Sequence, residues 1–378
     1  MHTPRKFSFS ATAAGIKKEG LDLGLIYSSE PASAAVVFTR NAFPAAPIIL
    51  GRKHLKETGG KVRAVLVNSG NANAATGEDG LAAARACAEA LARAVGCSPA
   101  EVMVSSTGVI GRPLPFKAIC NAVPGLMTAK KPENADSFAR CIMTTDTVPK
   151  MAAAEINGAR ILGFAKGAGM IHPNMATMLC FIVTDAQIPT AELQRALNTA
   201  VDRSFHCITV DGDTSTNDTV LVLANGASGV SPDPAAFTAK LQDVCEQLAK
   251  SIVRDGEGAS KFIELIIEGA PSDDAAREIG RTIAKSPLVK TAVYGCDPNW
   301  GRLFAAIGNA GIPLKSDQID LFIDGIPLNG GDLKEVSRRM EAKEITIRAA
   351  LHSGTGSARV WTCDFTEEYI RINADYTT

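Results

Sequence analysis

The run Lys166-Gly-Ala-Gly-Met-Ile-His-Pro-Asn-Met-Ala-Thr-Met-Leu-Cys-Phe-Ile-Val183 joins a segment punctuated by glycine and proline to a continuous apolar stretch. The apolar, partly β-branched stretch from Met178 to Val183 reads as a buried strand. Gly167, Gly169, Pro173 and Asn174 mark a turn or loop before it. Thr177 is therefore a hydroxyl placed where a loop enters a core strand. If the chain is cut between Ala176 and Thr177, Thr177 gains a free α-amino group beside its own hydroxyl. Such an amine titrates at roughly 7.7–8 and can act as a built-in general base at neutral pH.

Working outward, Val62 to Asn68 is a strand that runs into a Gly/Asn-rich loop. Gly80 to Val95 is a helix, with Cys87, Leu91 and Val95 on one face and Arg85, Glu89 and Arg93 opposite. Gly96 is its stop. The short apolar piece from Val102 to Val104 leads into a Ser/Thr/Gly loop at 105–108. Ile188-Pro-Thr opens a helix with Leu193, Leu197, Ala200 and Val201 on one side. Asp233-Pro234 caps a longer one carrying Phe237, Leu241, Val244, Leu248 and Ile252. Phe262 to Ile267 is a strand, and Ser272 caps the helix after it. Val360, Thr362, Asp364 and the run Tyr369 to Asn373 alternate as a strand that would anchor the C-terminal tail. This mixed order predicts an α+β fold rather than a regular parallel α/β sheet. Domain punctuation is faint, and the prolines beyond the core strand place a break between Thr177 and Pro189.

With 378 residues the chain can build two domains or one large one. Hydrophobic residues at 46% and charged residues at 21% fit a globular protein rather than a disordered one. A net charge of −1, with both signs mixed along the chain, argues against a nucleic-acid partner or a membrane surface. The nine cysteines are odd in number and show no metal-ligand spacing. Several lie in apolar runs and read as reduced core residues, which points to the cytoplasm. The first residues lack the apolar core of a signal peptide, and no apolar stretch approaches the length of a membrane span. There is no Walker loop, dinucleotide fingerprint or zinc spacing. Asp211 to Asp218 superficially looks like a Ca²⁺ loop, but lacks the glycine at position six and the glutamate at position twelve.

Further motifs recur in a fixed order: Ser69-Gly-Asn-Ala-Asn-Ala-Ala-Thr-Gly77, Ser105-Ser-Thr-Gly-Val-Ile-Gly111, Met143-Thr-Thr-Asp-Thr147, Val210-Asp-Gly-Asp-Thr-Ser-Thr-Asn-Asp218, Asp255-Gly-Glu-Gly-Ala-Ser-Lys261, Asp297-Pro-Asn-Trp-Gly-Arg302 and Arg371-Ile-Asn-Ala-Asp-Tyr-Thr-Thr378. Together with the opening run they resemble the self-cleaving ornithine acetyltransferase (glutamate N-acetyltransferase) family of arginine biosynthesis. The resemblance implies a helix-sheet-sheet-helix sandwich of the kind shared with self-processing aminopeptidases, with a second α/β domain. It implies a cut between Ala176 and Thr177 into an α fragment, 1–176, and a β fragment, 177–378.

The chemistry implied is acetyl transfer from N2-acetyl-L-ornithine to L-glutamate through an acetyl group carried on Thr177. No metal or organic cofactor is implied, and acetyl-CoA is a second donor only in the bifunctional form of the family. Acyl transfer develops an oxyanion that needs donors aimed at it; Thr107, by its side chain, and Gly108, by its backbone N–H, match that role. Thr144, Lys166, Glu257, Asn373 and Thr378 match substrate contacts, with Thr145 the competitor if the match slips by one. A cation for the carboxylate and an anion for the amine are what an amino-acid substrate requires. His172 and Cys180 read as structural, and individual roles within 211–218 and 297–302 stay unassigned. The assembly implied is a heterotetramer of two α and two β fragments. Two alternatives are an N-terminal-nucleophile aminopeptidase or amidohydrolase, which passes the acyl group to water, and a non-catalytic amino-acid-binding protein in which Thr177 is only a strand residue.

Overall fold

Central strands that are apolar on both faces set the architecture, with alternate residues entering different cores. The computed structural model of the chain describes residues 2–172 and 178–375. Its first sheet has eight strands: β1 (Phe7–Thr12), β2 (Leu23–Phe38), β3 (Lys61–Asn71), β4 (Val102–Val109), β5 (Lys150–Ile156), β6 (Ala159–Lys166), β7 (Leu179–Thr184) and β8 (Thr219–Ala224). The strand order is β4-β3-β2-β8-β7-β6-β5, with β1 on β2. The 16-residue β2 is the hinge of this sheet. Leu23–Tyr27 pairs with β3, Ser33–Phe38 pairs with β8, and the β3 register slips between Tyr27 and Ala32. Such an irregularity bends a strand, and here one strand serves two layers.

The side chains show the fold-over. Leu179, Phe181 and Val183 of β7 join Ile26, Val65, Val67, Phe164 and Leu221 in a core between the two layers. Their alternates Cys180 and Ile182 face the other way, onto α5 (Thr190–Asp202) and α6 (Pro234–Arg254). On the far layer Leu25, Leu66 and Val104 meet α2 (Gly77–Val95) and α3 (Phe116–Ala129). The order is helix, sheet, sheet, helix, as the resemblance implied. Each fully buried Val, Leu, Ile or Phe contributes roughly 1.5–3 kcal/mol, and β7, with all six residues buried, lies at the centre of that gain. Two helices complete this unit, α1 (Ala46–Thr58) and α4 (Ala135–Cys141).

The second unit is a five-stranded sheet of β9 (Phe262–Ala270), β10 (Asp320–Ile323), β11 (Ile326–Pro327), β12 (Glu344–Ala350) and β13 (Gly356–Cys363), in the order β11-β10-β12-β9-β13. Ile263, Leu265, Ile345, Ile347 and Val360 pack against α7 (Asp273–Lys285), α8 (Pro287–Tyr294), α9 (Trp300–Gly308) and α10 (Leu333–Arg339). The chain ends its described part in α11 (Glu367–Asp375). Trp361 and Phe262 turn away from that core and join the α5/α6 core, and the Arg254 guanidinium lies over Phe262.

Several expectations change. The fold does not divide between Thr177 and Pro189. β7 lies inside the first sheet between β6 and β8, and the division falls after α6, near 255–261. The loop expected at 105–108 is strand: Ser105 to Gly108 continues the parallel ladder with Val67 to Gly70. Its polar side chains are tolerated there because they are paired, with the Ser106 hydroxyl donating to Asn68 Oδ1 at 2.6 Å. The strand expected at Tyr369–Asn373 is helix α11; none of its residues is buried, while Arg371 pairs with Glu368 one turn back at 2.7 Å.

Candidate active site

A cavity of about 190 Å³ opens where β4 and β6 end, lined by Thr107, Gly108, Ile110, Thr144, Thr145, Lys166, Gly169, Met170, Glu257 and Asn373. That volume suits a ligand smaller than a drug-sized molecule. Six residues singled out in the sequence converge on it: Thr107, Gly108, Thr144, Lys166, Glu257 and Asn373. Thr145 lines it as well, so both threonines of the pair reach the space. Ala176, Thr177 and Thr378 lie outside the described residues. A larger groove of about 650 Å³, along α5 and the start of α6, contains none of the singled-out residues.

Strand pairing puts these groups together. Lys166 is the last residue of β6 and pairs with Leu179, the first of β7. The side chain of Lys166 is buried, and its ammonium donates to Thr107 Oγ1 at 3.2 Å. Burial lowers the Lys166 pKa, and neighbouring Asp146 opposes that shift. Thr107 and Gly108 lie at the end of β4, opposite Ser69 and Gly70 of β3. Gly108 has φ +130°, and a Cβ there would collide with the Gly70 backbone. Only glycine fits both demands, which explains a glycine beside the expected oxyanion donor.

The Glu257 main chain is fixed by its N–H, which donates to Ala168 O at 2.9 Å. Its carboxylate accepts from Asn373 Nδ2 at 2.9 Å and lies against Gly169, where any Cβ would strike it. The glycine two residues beyond Gly167 thus makes room for a protein carboxylate. The cavity lining includes a cation, Lys166, and an anion, Glu257, together with hydroxyl and backbone donors. An amino acid carrying a carboxylate and a second, free amine matches that pattern.

Within 211–218, Asp211 and Asp218 anchor main-chain groups. Asp211 accepts the N–H groups of Met170 and Ile171 at 2.5 and 2.9 Å. Asp218 Oδ1 accepts the N–H of Met178 at 3.0 Å. The two carboxyls therefore hold the described residues on either side of the segment that carries Thr177. Asp218 is fully buried, and burial pushes its carboxyl well above the usual carboxylate range, against the Met178 N–H and Lys166. Asn217 ties the same loop to the end of β4, donating to Ala72 O at 2.6 Å and Ser106 O at 2.9 Å. The Asp/Asn density of the motif was the available signal, but its targets are main-chain groups that no sequence pattern reveals.

His172 turns to Thr209, with Nδ1 and Oγ1 3.2 Å apart, and burial, reinforced by Lys285 and Arg281, pulls its pKa down to about 4. Cys180 is buried in the α5/α6 core with its thiol pushed well up by burial. Among the described residues no helix is long and apolar enough to cross a membrane.

Comparison with known proteins agrees with this geometry. The ArgJ family profile matches residues 8–378. A Thermus thermophilus protein named arginine biosynthesis bifunctional protein ArgJ is 47% identical, covering 99% of each chain. One of the same name from Methylococcus capsulatus is 49% identical over 97% of this chain and 94% of its own. A crystal structure described as arginine biosynthesis bifunctional protein argJ from Bacillus halodurans aligns with TM-score 0.50 and 42% identity. It covers 52% of this chain and 98% of that one. With a profile match over nearly its whole length and relatives at this identity, the chain belongs to the ArgJ family.

Proposed function

We propose that this protein is a glutamate N-acetyltransferase that moves acetyl from N2-acetyl-L-ornithine to L-glutamate through an acetyl ester on Thr177, as a cytoplasmic enzyme of arginine biosynthesis. The observation that carries the reading is the meeting of Thr107, Gly108, Thr144, Lys166, Glu257 and Asn373 around one cavity at the start of β7. Family membership favours acetyl transfer over the hydrolytic alternative. The word bifunctional in the relatives' names supports a second reaction with acetyl-CoA as donor.

The chain first cuts itself. The Thr177 hydroxyl attacks the Ala176 carbonyl, an N-to-O shift gives an ester, and water releases residues 1–176 from 177–378. The Bacillus halodurans chain, matching about half of this one over nearly all its own length, has the proportion of one such fragment. In the first half-reaction the freed Thr177 amine takes the hydroxyl proton as Oγ attacks the acetamide carbonyl. Thr107 and Gly108 donate to the oxyanion, the C–N bond breaks, and ornithine leaves with its amine reprotonated. Glutamate's amine then attacks the ester and regenerates the hydroxyl. Lys166 and Thr144 hold the substrate's carboxylate end, Glu257 its amino group, and Asn373 with Thr378 close the site.

The two fragments stay together because β7 pairs with β6 across the cut along six residue pairs. Two copies of each fragment form the assembly. Intact-mass spectrometry is the test: two fragments are expected, and the one beginning at Thr177 gains an acetyl group with acetyl-ornithine. In Thr177→Ala a single uncut, unacetylated chain is expected. An uncut wild type, or acetyl transfer by Thr177→Ala, sinks the reading.

A further inference from the structure

Lys150, on β5, is buried and does not line the cavity, yet it joins three of the segments that do. Its ammonium donates to Asp146 Oδ1 at 2.6 Å and to Asp255 Oδ2 at 2.5 Å. Asp146 also accepts the N–H of Gly167 at 2.7 Å and that of Thr144 at 3.0 Å. Asp255 accepts the Thr147 N–H at 3.0 Å and the Thr147 hydroxyl, and stands two residues before Glu257. Every hydrogen-bonding direction of this cluster leads to a segment bearing Thr144, Lys166 or Glu257.

We propose that Lys150 is a positioning residue for substrate binding: as the cation shared by Asp146 and Asp255, it locks together the three segments that present Thr144, Lys166 and Glu257. The inference rests on the substrate roles given to those three residues above.

Buried ion clusters are poor sources of stability, because desolvation offsets the attraction. Three fully interior charges beside a binding cavity therefore point to geometry rather than stability. Charge order gives Lys150 a second task. Asp255, Lys150, Asp146 and Lys166 alternate in sign through the interior, and Lys150 and Lys166 together hold the Asp146 carboxyl at about 2 despite its burial. Without Lys150, Asp146 is left with Lys166 and Lys17 as its neighbouring cations, and it draws the Lys166 ammonium away from Thr107. Lys150 thus frees Lys166 to face the cavity.

The test uses the full, self-processed chain with Lys150→Met and with Lys150→Met/Asp255→Asn, which removes one charge of each sign. Melting, fragment formation on a denaturing gel, and steady-state acetyl transfer are measured. The double variant is expected to fold and cut itself, with kcat within about threefold of wild type and KM for both amino acids raised at least about tenfold. Unchanged KM, a fall in kcat alone, or failure of the double variant to fold overturns the inference. Wild-type chain that transfers no acetyl fails the proposed function instead, and Thr177→Ala serves as the inactive control.

Discussion

Across the interface of β9 and β13 with α7, the second domain packs aliphatic on aliphatic: Ile263, Leu265, Ile267 and Val360 against Ile279 and Ile283. The sandwich, by contrast, buries Asp146, Lys150, Lys166, Asp218 and Asp255 around its cavity. Burying an ionised group is costly unless it is paired and hydrogen-bonded, so the sandwich gives up stability to hold those groups in place. The second domain buries fewer charges, Lys290 and Asp364 among them, and the cavity lies where interior charge is densest.

Three substitutions probe that contrast, from largest effect to smallest. Thr107→Val keeps the shape of β4 but removes the hydroxyl expected to donate to the oxyanion. The acetyl-transfer kcat is expected to fall about 10²–10³-fold, some 2.7–4 kcal/mol, with the melting temperature little changed. A variant as active as wild type would separate Thr107 from the chemistry. Ile347→Ala in β12 is expected to do the reverse, lowering unfolding free energy by about 2–4 kcal/mol in urea titrations. Activity per folded molecule should stay at wild type, and a large loss of kcat would break the division of labour.

The smallest effect concerns pH. His172 titrates near 4 in the folded chain against 6.5 for the free side chain, because burial and two nearby cations disfavour its charged form. The unfolded chain therefore binds the proton first, and stability falls as pH drops from about 6.5 toward 4. His172→Gln should remove on the order of 1 kcal/mol of that acid-side loss, read from urea midpoints at pH 7 and pH 5. An unchanged pH slope would show that His172 is free to charge in the folded state.

What the sequence made legible follows from the range of the forces involved. β7 was plain because Leu179 to Thr184 is apolar or β-branched throughout. α2, α5, α6 and α7 were plain because period and caps are local signals, as the Ser272 hydroxyl accepting from the Ala275 N–H illustrates. The end of β4 was misread because Ser105 to Gly108 carries loop composition, and its strand character comes from β3 alongside. α11 was misread because Tyr369 to Asn373 alternates over too few residues to tell a strand from an exposed helix. Resemblance identified the cavity residues individually, but Lys150, Asp146 and Asp218 act through main-chain N–H groups and ion pairs distant in sequence. Composition does not encode such partners.

The pairing of β7 between β6 and β8 carries a practical consequence for anyone handling this protein. If the backbone is severed just ahead of β7, no dangling arm results, because the first strand of the new piece is threaded through the middle of a sheet whose outer strands belong to the other piece. An affinity tag on either half should therefore retrieve both, and pulling them apart should require melting the sandwich itself.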